Sequence, residues 1–213
     1  MRLTLAGTDI DLLPERAVFL PETGDLVVAD VHLGKSATFR ARGIPVPEGE
    51  TTDDLERLAQ LAARTQARRI LVAGDLVHAP EALRHDLPER LARWIADCPA
   101  ELVLIAGNHD RRAGLRHLRC PAFPDLETGT LRIVHDPCEA SGPSIAGHLH
   151  PSIRLPTSPR RSHRHPCFWL QGETLVLPAF GTFTGTHPVR PEEADRVFIP
   201  LASRVREIPR GWR

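Results

Sequence analysis

The stretch ELVLIAGNHD, residues 101–110, decides the fold because a short apolar run ends in a glycine followed by asparagine, histidine and aspartate. An apolar run of this length that stops at a turn residue is typical of a buried β-strand. Two earlier stretches have the same form, DLVVAD at residues 25–30 and RRILVAGD at residues 68–75. Each of the three therefore predicts a strand with polar groups at its carboxyl end.

Two segments with helical spacing separate these three strands. Residues 52–67 repeat leucine and alanine every three or four positions, and residues 81–96 do so with Pro88 as a possible break. The alternating order of three strands and two helices predicts a parallel sheet with right-handed crossovers. The α/β class follows, and with no visible boundary we expect a single domain over residues 1–213.

After residue 131 the helical spacing fades and short strand patterns dominate. Two more buried strands are predicted by LRIVHD (131–136) and SIAGHLH (144–150). Four short strand patterns follow without intervening helices: CFWLQ, TLVLPAF, RVFIPL and SRVREI. They predict a second, more antiparallel sheet. SPRRSHRHP (158–166) reads as a polar, basic loop.

Composition excludes several classes of protein. Lys+Arg and Asp+Glu are balanced at 27 each, so no global field draws the chain to nucleic acid or membrane. No apolar run reaches membrane length, and the N-terminus is too acidic for a signal peptide. The four cysteines are dispersed, without a C-x-x-C pair, which predicts a cytoplasmic protein with reduced thiols.

Metal-ligating residue types follow five of the predicted strands. Because ligand sites in α/β sheets form at the carboxyl ends of strands, we expect these side chains to meet at one edge. Six of the eleven histidines lie in these motifs. In chain order the motifs are Asp30-x-His32, Gly74-Asp75 with His78, Gly107-Asn108-His109-Asp110, His135 and Gly147-His148-x-His150.

These residue types suit a pair of divalent ions. Two ions about 3.5–4 Å apart can hold a phosphoryl group and activate water, provided that a carboxylate lies between them. Imidazoles and a carboxamide complete the coordination without adding negative charge, so an anionic phosphate is still attracted.

Gly34-Lys35-Ser36 offers a competing interpretation as the end of a phosphate-binding P-loop. That motif requires a glycine five residues before Gly34, where the chain has Ala29. The spacing rejects the P-loop.

With these motifs in place, the chain resembles the calcineurin-like metallophosphoesterases. The resemblance implies a two-sheet β-sandwich flanked by helices and a site for two metals. It assigns Asp30, His32, Asp75 and His150 to one metal, and Asp75, Asn108, His135 and His148 to the other. It also implies that His109 acts on the leaving oxygen or the phosphoryl charge, with Asp110 orienting it.

Several features narrow the resemblance. A histidine at the position of His78, in GDLVH, resembles the pattern of the nuclease branch of the family, in which this histidine lies near the scissile phosphate. The chain is also similar to the ligase-associated DNA damage response endonucleases, also called PdeM-like. The stretches that carry this similarity are ADVHLGKSATFRARGIPVP, AGHLHP, CFWL and LVLPAFGTFTG. That resemblance implies a DNA endonuclease with a DNA ligase and a helicase as repair partners.

The expected cofactors are two divalent ions, manganese first, with iron, zinc and magnesium as alternatives. We expect Arg160, Arg161 and Arg164 to contact the DNA backbone. Two other hypotheses stay open. A deep closed pocket would favour a phosphoesterase of a nucleotide, nucleotide-sugar or phosphoprotein, and a missing ligand would favour a non-catalytic repair scaffold.

Overall fold

A computed structural model describes residues 1–84, 86–114, 118–158 and 161–209 of the chain. Two seven-stranded sheets face each other and enclose an apolar layer between them. The first sheet has the strand order β1-β2-β3-β4-β5-β6-β7. Its strands are β1 (Arg2–Leu5), β2 (Thr8–Leu13), β3 (Ala17–Leu20), β4 (Asp25–Val28), β5 (Arg69–Ala73), β6 (Glu101–Ile105) and β7 (Ala122–Phe123).

The strands β4, β5 and β6 are those predicted from the three apolar stretches, and they pair in parallel. The predicted parallel sheet is therefore confirmed. Strands β1 to β3 extend it with antiparallel pairs that the sequence analysis did not find. The signal was present, because residues in β2 alternate between buried and partly exposed positions, as an amphipathic strand requires.

The second sheet has the order β17-β16-β13-β14-β10-β9-β8. Its strands are β8 (Leu126–Thr128), β9 (Leu131–Val134), β10 (Ser144–Ala146), β13 (Phe168–Gln171), β14 (Thr174–Val176), β16 (Arg196–Pro200) and β17 (Val205–Glu207). Strands β9, β10 and β14 are parallel, and the remaining pairs are antiparallel. The sheet is mixed, with the predicted antiparallel character on the side of β13, β16 and β17.

The described helices include α1 (Lys35–Ala41), α2 (Glu50–Thr65), α3 (Leu87–Asp97) and α4 (Asn108–Ala113). Leucines of α2 and α3 pack on the outer face of the first sheet. Trp94 of α3 donates a hydrogen bond to the carbonyl oxygen of Leu55 in α2 (2.9 Å). Pro88 lies in the first turn of α3, after a separate 3-10 helix (Pro80–Arg84), so the predicted break is confirmed.

A third sheet corrects one prediction. The segment Arg161–Pro166 was predicted as part of a loop, but it forms a strand, β12, which pairs with β11 (Pro151–Ser158). A third strand, β15 (His187–Pro188), pairs with the other side of β11, so the strand order is β12-β11-β15. The strand was missed because residues 161–164 are all exposed, so no apolar alternation marks it. Its partner β11 supplies the burial, as Ile153 packs with Val197 and Ile199 on the outer face of the second sheet.

The predicted fold, an α/β two-sheet sandwich flanked by helices, is confirmed. None of the helices in the described part of the chain combines the length and hydropathy that crossing a lipid bilayer requires.

Candidate metal centre

The carboxyl ends of β4, β5, β6, β9 and β10 bring the predicted ligands together at one edge of the sandwich. Side chains there form two groups in which the ligand atoms of each group lie within 4.8 Å of one another, Asp30 with His32 and His150, and Asp75 with His135 and His148. A third group, His32 with His78 and His109, adjoins the first.

The backbone at this edge is in an unusual conformation. Five of the seven predicted ligands have left-handed φ angles: Asp30 (54°), His32 (52°), Asp75 (54°), His148 (70°) and His150 (46°). Such conformations are unfavourable for residues other than glycine and collect at functional sites. Their concentration here is independent support for a built site.

The first group contains an unsatisfied carboxylate oxygen. Oδ1 of Asp30 is buried, and no donor of the described residues meets hydrogen-bond geometry toward it, although Nε2 of His150 lies 3.3 Å away. Nδ1 of His150 donates to the carbonyl oxygen of Gly185 (3.2 Å), so in the neutral ring Nε2 carries a lone pair. Two lone pairs facing each other require a proton or a cation between them, and a divalent ion fits this arrangement.

His32 completes this group, with its Nε2 3.4 Å from Nε2 of His150. Burial, with additional repulsion from His150 and Lys35, lowers the pKa of His32 to about 2. The imidazole is therefore neutral, which is the form that binds a metal.

The second group is arranged in the same way. Nδ1 of His135 donates to the carbonyl oxygen of Ala73 (3.1 Å), which leaves Nε2 free. That Nε2 lies 3.0 Å from Oδ1 of Asn108, 3.1 Å from Nδ1 of His148 and 3.6 Å from Oδ2 of Asp75. Ligand atoms from four side chains thus converge on one small volume.

Asp75 lies between the two groups. Its Oδ2 is 3.6 Å from Nε2 of His135 in the second group and 4.0 Å from Nε2 of His32 in the first. Its Oδ1 accepts a hydrogen bond from the main-chain amide of His109 (2.9 Å). A buried carboxylate held in this position is suited to bridge two ions.

Two glycines permit the close packing of these side chains. A Cβ on Gly74 would lie 1.9 Å from Nδ1 of His135, and a Cβ on Gly107 would lie 2.2 Å from Oδ1 of Asp75. Any other residue would displace a predicted ligand.

The predicted catalytic side chains lie beside the first group. His109 stacks on His78 with ring centroids 5.1 Å apart, and its Nδ1 donates to the main-chain carbonyl of His78. Asp110 is buried and accepts from the amides of Val77 (3.0 Å) and Gly107 (3.1 Å). These contacts tie the β5 and β6 ends together; orientation of the His109 ring by Asp110 stays a prediction.

Burial also affects the two other titratable groups here. It raises the pKa of Asp110 to about 6 and lowers the pKa of His78 to about 4.

The two described members of the predicted DNA-contacting set, Arg161 and Arg164, lie on the third sheet and belong to neither group of candidate ligands. Arg161 begins β12, and Arg164 lies opposite Arg154 of β11. Arg160 is outside the described residues.

Two charged residues of α2 were not predicted to support the site, the buried Asp54 and the half-buried Arg57. Asp54 lies in the first turn of the helix predicted over residues 52–67, and it is only 2% exposed. It shares a helical face with Leu58 and Leu61, so an acidic residue on an apolar face was the available signal.

Asp, His and Asn side chains that form two adjoining groups of candidate metal ligands at the strand ends of a β-sandwich are typical of metal-dependent hydrolases. The model of the calcineurin-like phosphoesterase family matches residues 26–157, more than half of the chain. The chain belongs to the calcineurin-like phosphoesterase family, whose members use divalent metals to hydrolyse phosphoesters. The predicted family membership is confirmed.

Three solved structures are similar to this chain. The nuclease MPE of Pseudomonas putida is 32% identical, with 94% of this chain and 96% of that chain covered at a TM-score of 0.78. The phosphoesterase Yfce of E. coli is 15% identical (86% and 97% covered, TM-score 0.45). A predicted phosphoesterase of Streptococcus pneumoniae TIGR4 is 16% identical (86% and 95% covered, TM-score 0.37). No curated protein sequence matches the chain.

Proposed function

We propose that this phosphoesterase is a two-metal phosphodiesterase that cleaves the backbone of DNA. The observation that carries the proposal is the position of Asp75, whose Oδ2 faces histidines of both ligand groups. Similarity to a nuclease over nearly the whole chain supports DNA as the substrate.

One ion would be held by Asp30, His32, Asp75 and His150. The other ion would be held by Asp75, Asn108, His135 and His148. Bound divalent ions supply positive charge that polarises the phosphoryl group and activates water. The absence of thiolates favours manganese, with iron, zinc and magnesium as alternatives.

His109 is the proposed acid for the leaving oxygen. Its Nδ1 proton is held by the carbonyl of His78, so Nε2 is the atom that exchanges a proton with the substrate. The side chain is 30% exposed and Nε2 is 4.0 Å from Oδ2 of Asp75, beside the ligands but open to a substrate. The stacked ring of His78 is placed to contact the same phosphate.

A groove beside the metal edge is the proposed path of the DNA. It has a volume of about 1110 Å³ and is lined mainly by residues of the third sheet and by residues 189–193. One lining residue connects the groove to the metal edge, because the amide of His187 donates to the carbonyl oxygen of His150 (2.8 Å).

The charges of this groove favour a phosphate on one wall. Arg154 and Arg164 lie directly opposite each other on neighbouring strands, and both line the groove. Like charges in this position destabilise a sheet unless an anion lies between them. Neither arginine has an ion pair with the described residues. Glu192 and Glu193 also line the groove, and because they repel phosphate, the side with the two arginines is the proposed binding side.

The test compares three substrates after chelation and add-back of each metal. We expect bis-p-nitrophenyl phosphate and DNA to be cleaved, p-nitrophenyl phosphate to be cleaved poorly, and manganese to restore the most activity. Full activity in chelator contradicts the two-metal proposal. Cleavage of the monoester alone supports a small-molecule phosphoesterase, and inactivity of metal-loaded protein on all three supports a scaffold.

A double variant, Arg154→Ala with Arg164→Ala, tests DNA binding separately. We expect weaker DNA cleavage, a smaller salt dependence of binding and unchanged turnover of the nitrophenyl diester, which is too small to reach the groove. Arg206→Ala, an exposed arginine on β17, is the matched control. Equal loss on both substrates assigns the arginines to the fold.

A role in DNA repair with a DNA ligase and a helicase, in the cytoplasm, is part of the same proposal. It is supported by the resemblance to the ligase-associated endonucleases. Co-purification of ligase or helicase with the tagged protein from its own cells, and loss of the signal without the tag, is the test.

A further inference from the structure

We infer that Asp54 and Arg57 on α2 are positioning residues for one of the two metals, acting through the loop of residues 179–185. The inference rests on the proposed metal ligation. It concerns the group of Asp30, His32 and His150, which neither α2 residue touches.

The carboxylate of Asp54 anchors this loop. The main-chain amide of Thr182 donates to its Oδ2 (3.0 Å) and Oδ1 (3.2 Å), and Nη1 of Arg57 lies 3.2 Å from Oδ1. An acid this deeply buried stabilises a protein less than an apolar residue unless it is fully paired. Besides Arg57, the described hydrogen-bond partners of Asp54 are the amide and the hydroxyl of Thr182, which is 128 residues away in sequence.

Arg57 holds the same loop two residues earlier, at Phe180. Its Nη2 donates to the carbonyl oxygen of Phe180, and its guanidinium carbon lies 4.0 Å from the centroid of the Phe180 ring. Arg16 adds a hydrogen bond to the carbonyl oxygen of Ala179 (3.3 Å). The buried Nε of Arg57 has no hydrogen-bond partner among the described residues, which costs stability and favours a role for Arg57 besides packing.

The other side of the loop is attached to the first ligand group. The amides of Phe180 and Gly181 donate to the carbonyl oxygens of Ala29 (2.8 Å) and Asp30 (3.2 Å). A Cβ on Gly181 would lie 2.2 Å from the carbonyl oxygen of Val31, so the two chains are in direct contact.

The end of the loop holds His150. The carbonyl oxygen of Gly185 accepts from Nδ1 of His150 (3.2 Å), which selects the tautomer with Nε2 free and aims that atom at Asp30. A shift of the loop therefore moves the backbone of one ligand and the ring of another. Both belong to the same group, whereas the described contacts of the loop do not reach Asn108, His135 or His148.

The test is direct metal titration by calorimetry, with metal content measured separately. We expect Asp54→Asn and Arg57→Met each to weaken one of two manganese sites, about 10–100-fold, and leave the other site unchanged. His150→Ala is the comparator for loss of that site. Asp53→Asn, the exposed neighbour on the same helix, is the matched control and should bind both ions normally.

Each outcome decides a different point. Wild-type protein that binds no metal ends the proposed function, whereas wild-type affinity at both sites in folded Asp54→Asn and Arg57→Met ends only this inference. Equal weakening of both sites with a lowered Tm assigns the pair to stability and also overturns it. Arg57→Lys keeps the charge and decides the same question where the other variants do not fold.

A spectroscopic readout separates positioning from packing. In the metal-free wild-type protein, nitrogen chemical shifts should place a proton on Nδ1 of His150, as its bond to Gly185 requires. Asp54→Asn should lose this tautomer preference and Asp53→Asn should keep it. Retention in both variants contradicts the inference.

Discussion

The main-chain amide of His109 donates a 2.9 Å hydrogen bond to Oδ1 of Asp75. The proposed acid and the proposed bridging carboxylate are thereby connected through the backbone and not through the His109 ring. Oδ2 of Asp75 stays directed at both ligand groups whatever side chain residue 109 carries. This arrangement allows the two roles to be tested separately.

Asp75→Asn should abolish activity and weaken the binding of both ions. The substitution removes negative charge from between two cations and places an amide where a carboxylate oxygen faced His135 and His32. Metal content per chain and turnover of bis-p-nitrophenyl phosphate are the measurements, with Asp53→Asn as control. Two bound ions with normal turnover would show that Asp75 is not the bridge.

His109→Ala should lower turnover on DNA by ~10²–10⁴-fold while both ions stay bound. The defect should be smaller on the nitrophenyl diester, because an acidic leaving group needs less protonation. Kinetics on both substrates, with metal analysis of the same samples, check this prediction. Loss of metal from this variant would make His109 a ligand instead.

Gly74→Ala should disturb the second ligand group, because the new Cβ would overlap the His135 ring. Gly43→Ala is a close control, since Gly43 has a similar φ of 78° against 82° but no atom within 4 Å of an added Cβ. Both variants should lose about 1–2 kcal/mol of stability from the left-handed backbone. Only Gly74→Ala should also lose metal, and equal metal content in both would contradict the steric argument.

Asp25→Asn should destabilise the fold by about 1–3 kcal/mol at neutral pH. Asp25 is fully buried, and Nε and Nη2 of Arg69 each lie 2.7 Å from its oxygens. Burial alone would raise the pKa of Asp25, but the hydrogen bonds from Arg69 and Thr128 outweigh it and the pKa is lowered.

The pH dependence of this effect follows from that direction. A lowered carboxyl pKa contributes stability above the unfolded value of ~3.9 and loses it as the pH falls through the folded value. The difference between wild type and variant, from urea unfolding, should therefore be constant near pH 7 and shrink below about pH 4. Asp11→Asn, which breaks the exposed pair with Arg2, should cost about 0–1 kcal/mol. A difference for Asp25→Asn that grows in acid would contradict the assignment.

Local patterns predicted much of the architecture. The apolar runs before Asp30, Asp75 and Asn108 became parallel strands because strand and turn preferences act over a few residues. Strand β12 was missed for the same reason, since its residues 161–164 are exposed and its stability comes from pairing with β11.

The sequence by itself determined which residue types stand at the strand ends, and so the family and the set of predicted ligands. Only the tertiary structure decided which nitrogen of each imidazole is free, since that depends on the carbonyls of Ala73 and Gly185. It also decided that Asp54 faces a loop 128 residues away and not solvent. Strand-end motifs are local, whereas tautomers and buried ion pairs depend on atoms that meet only when sheets, helices and loops have packed.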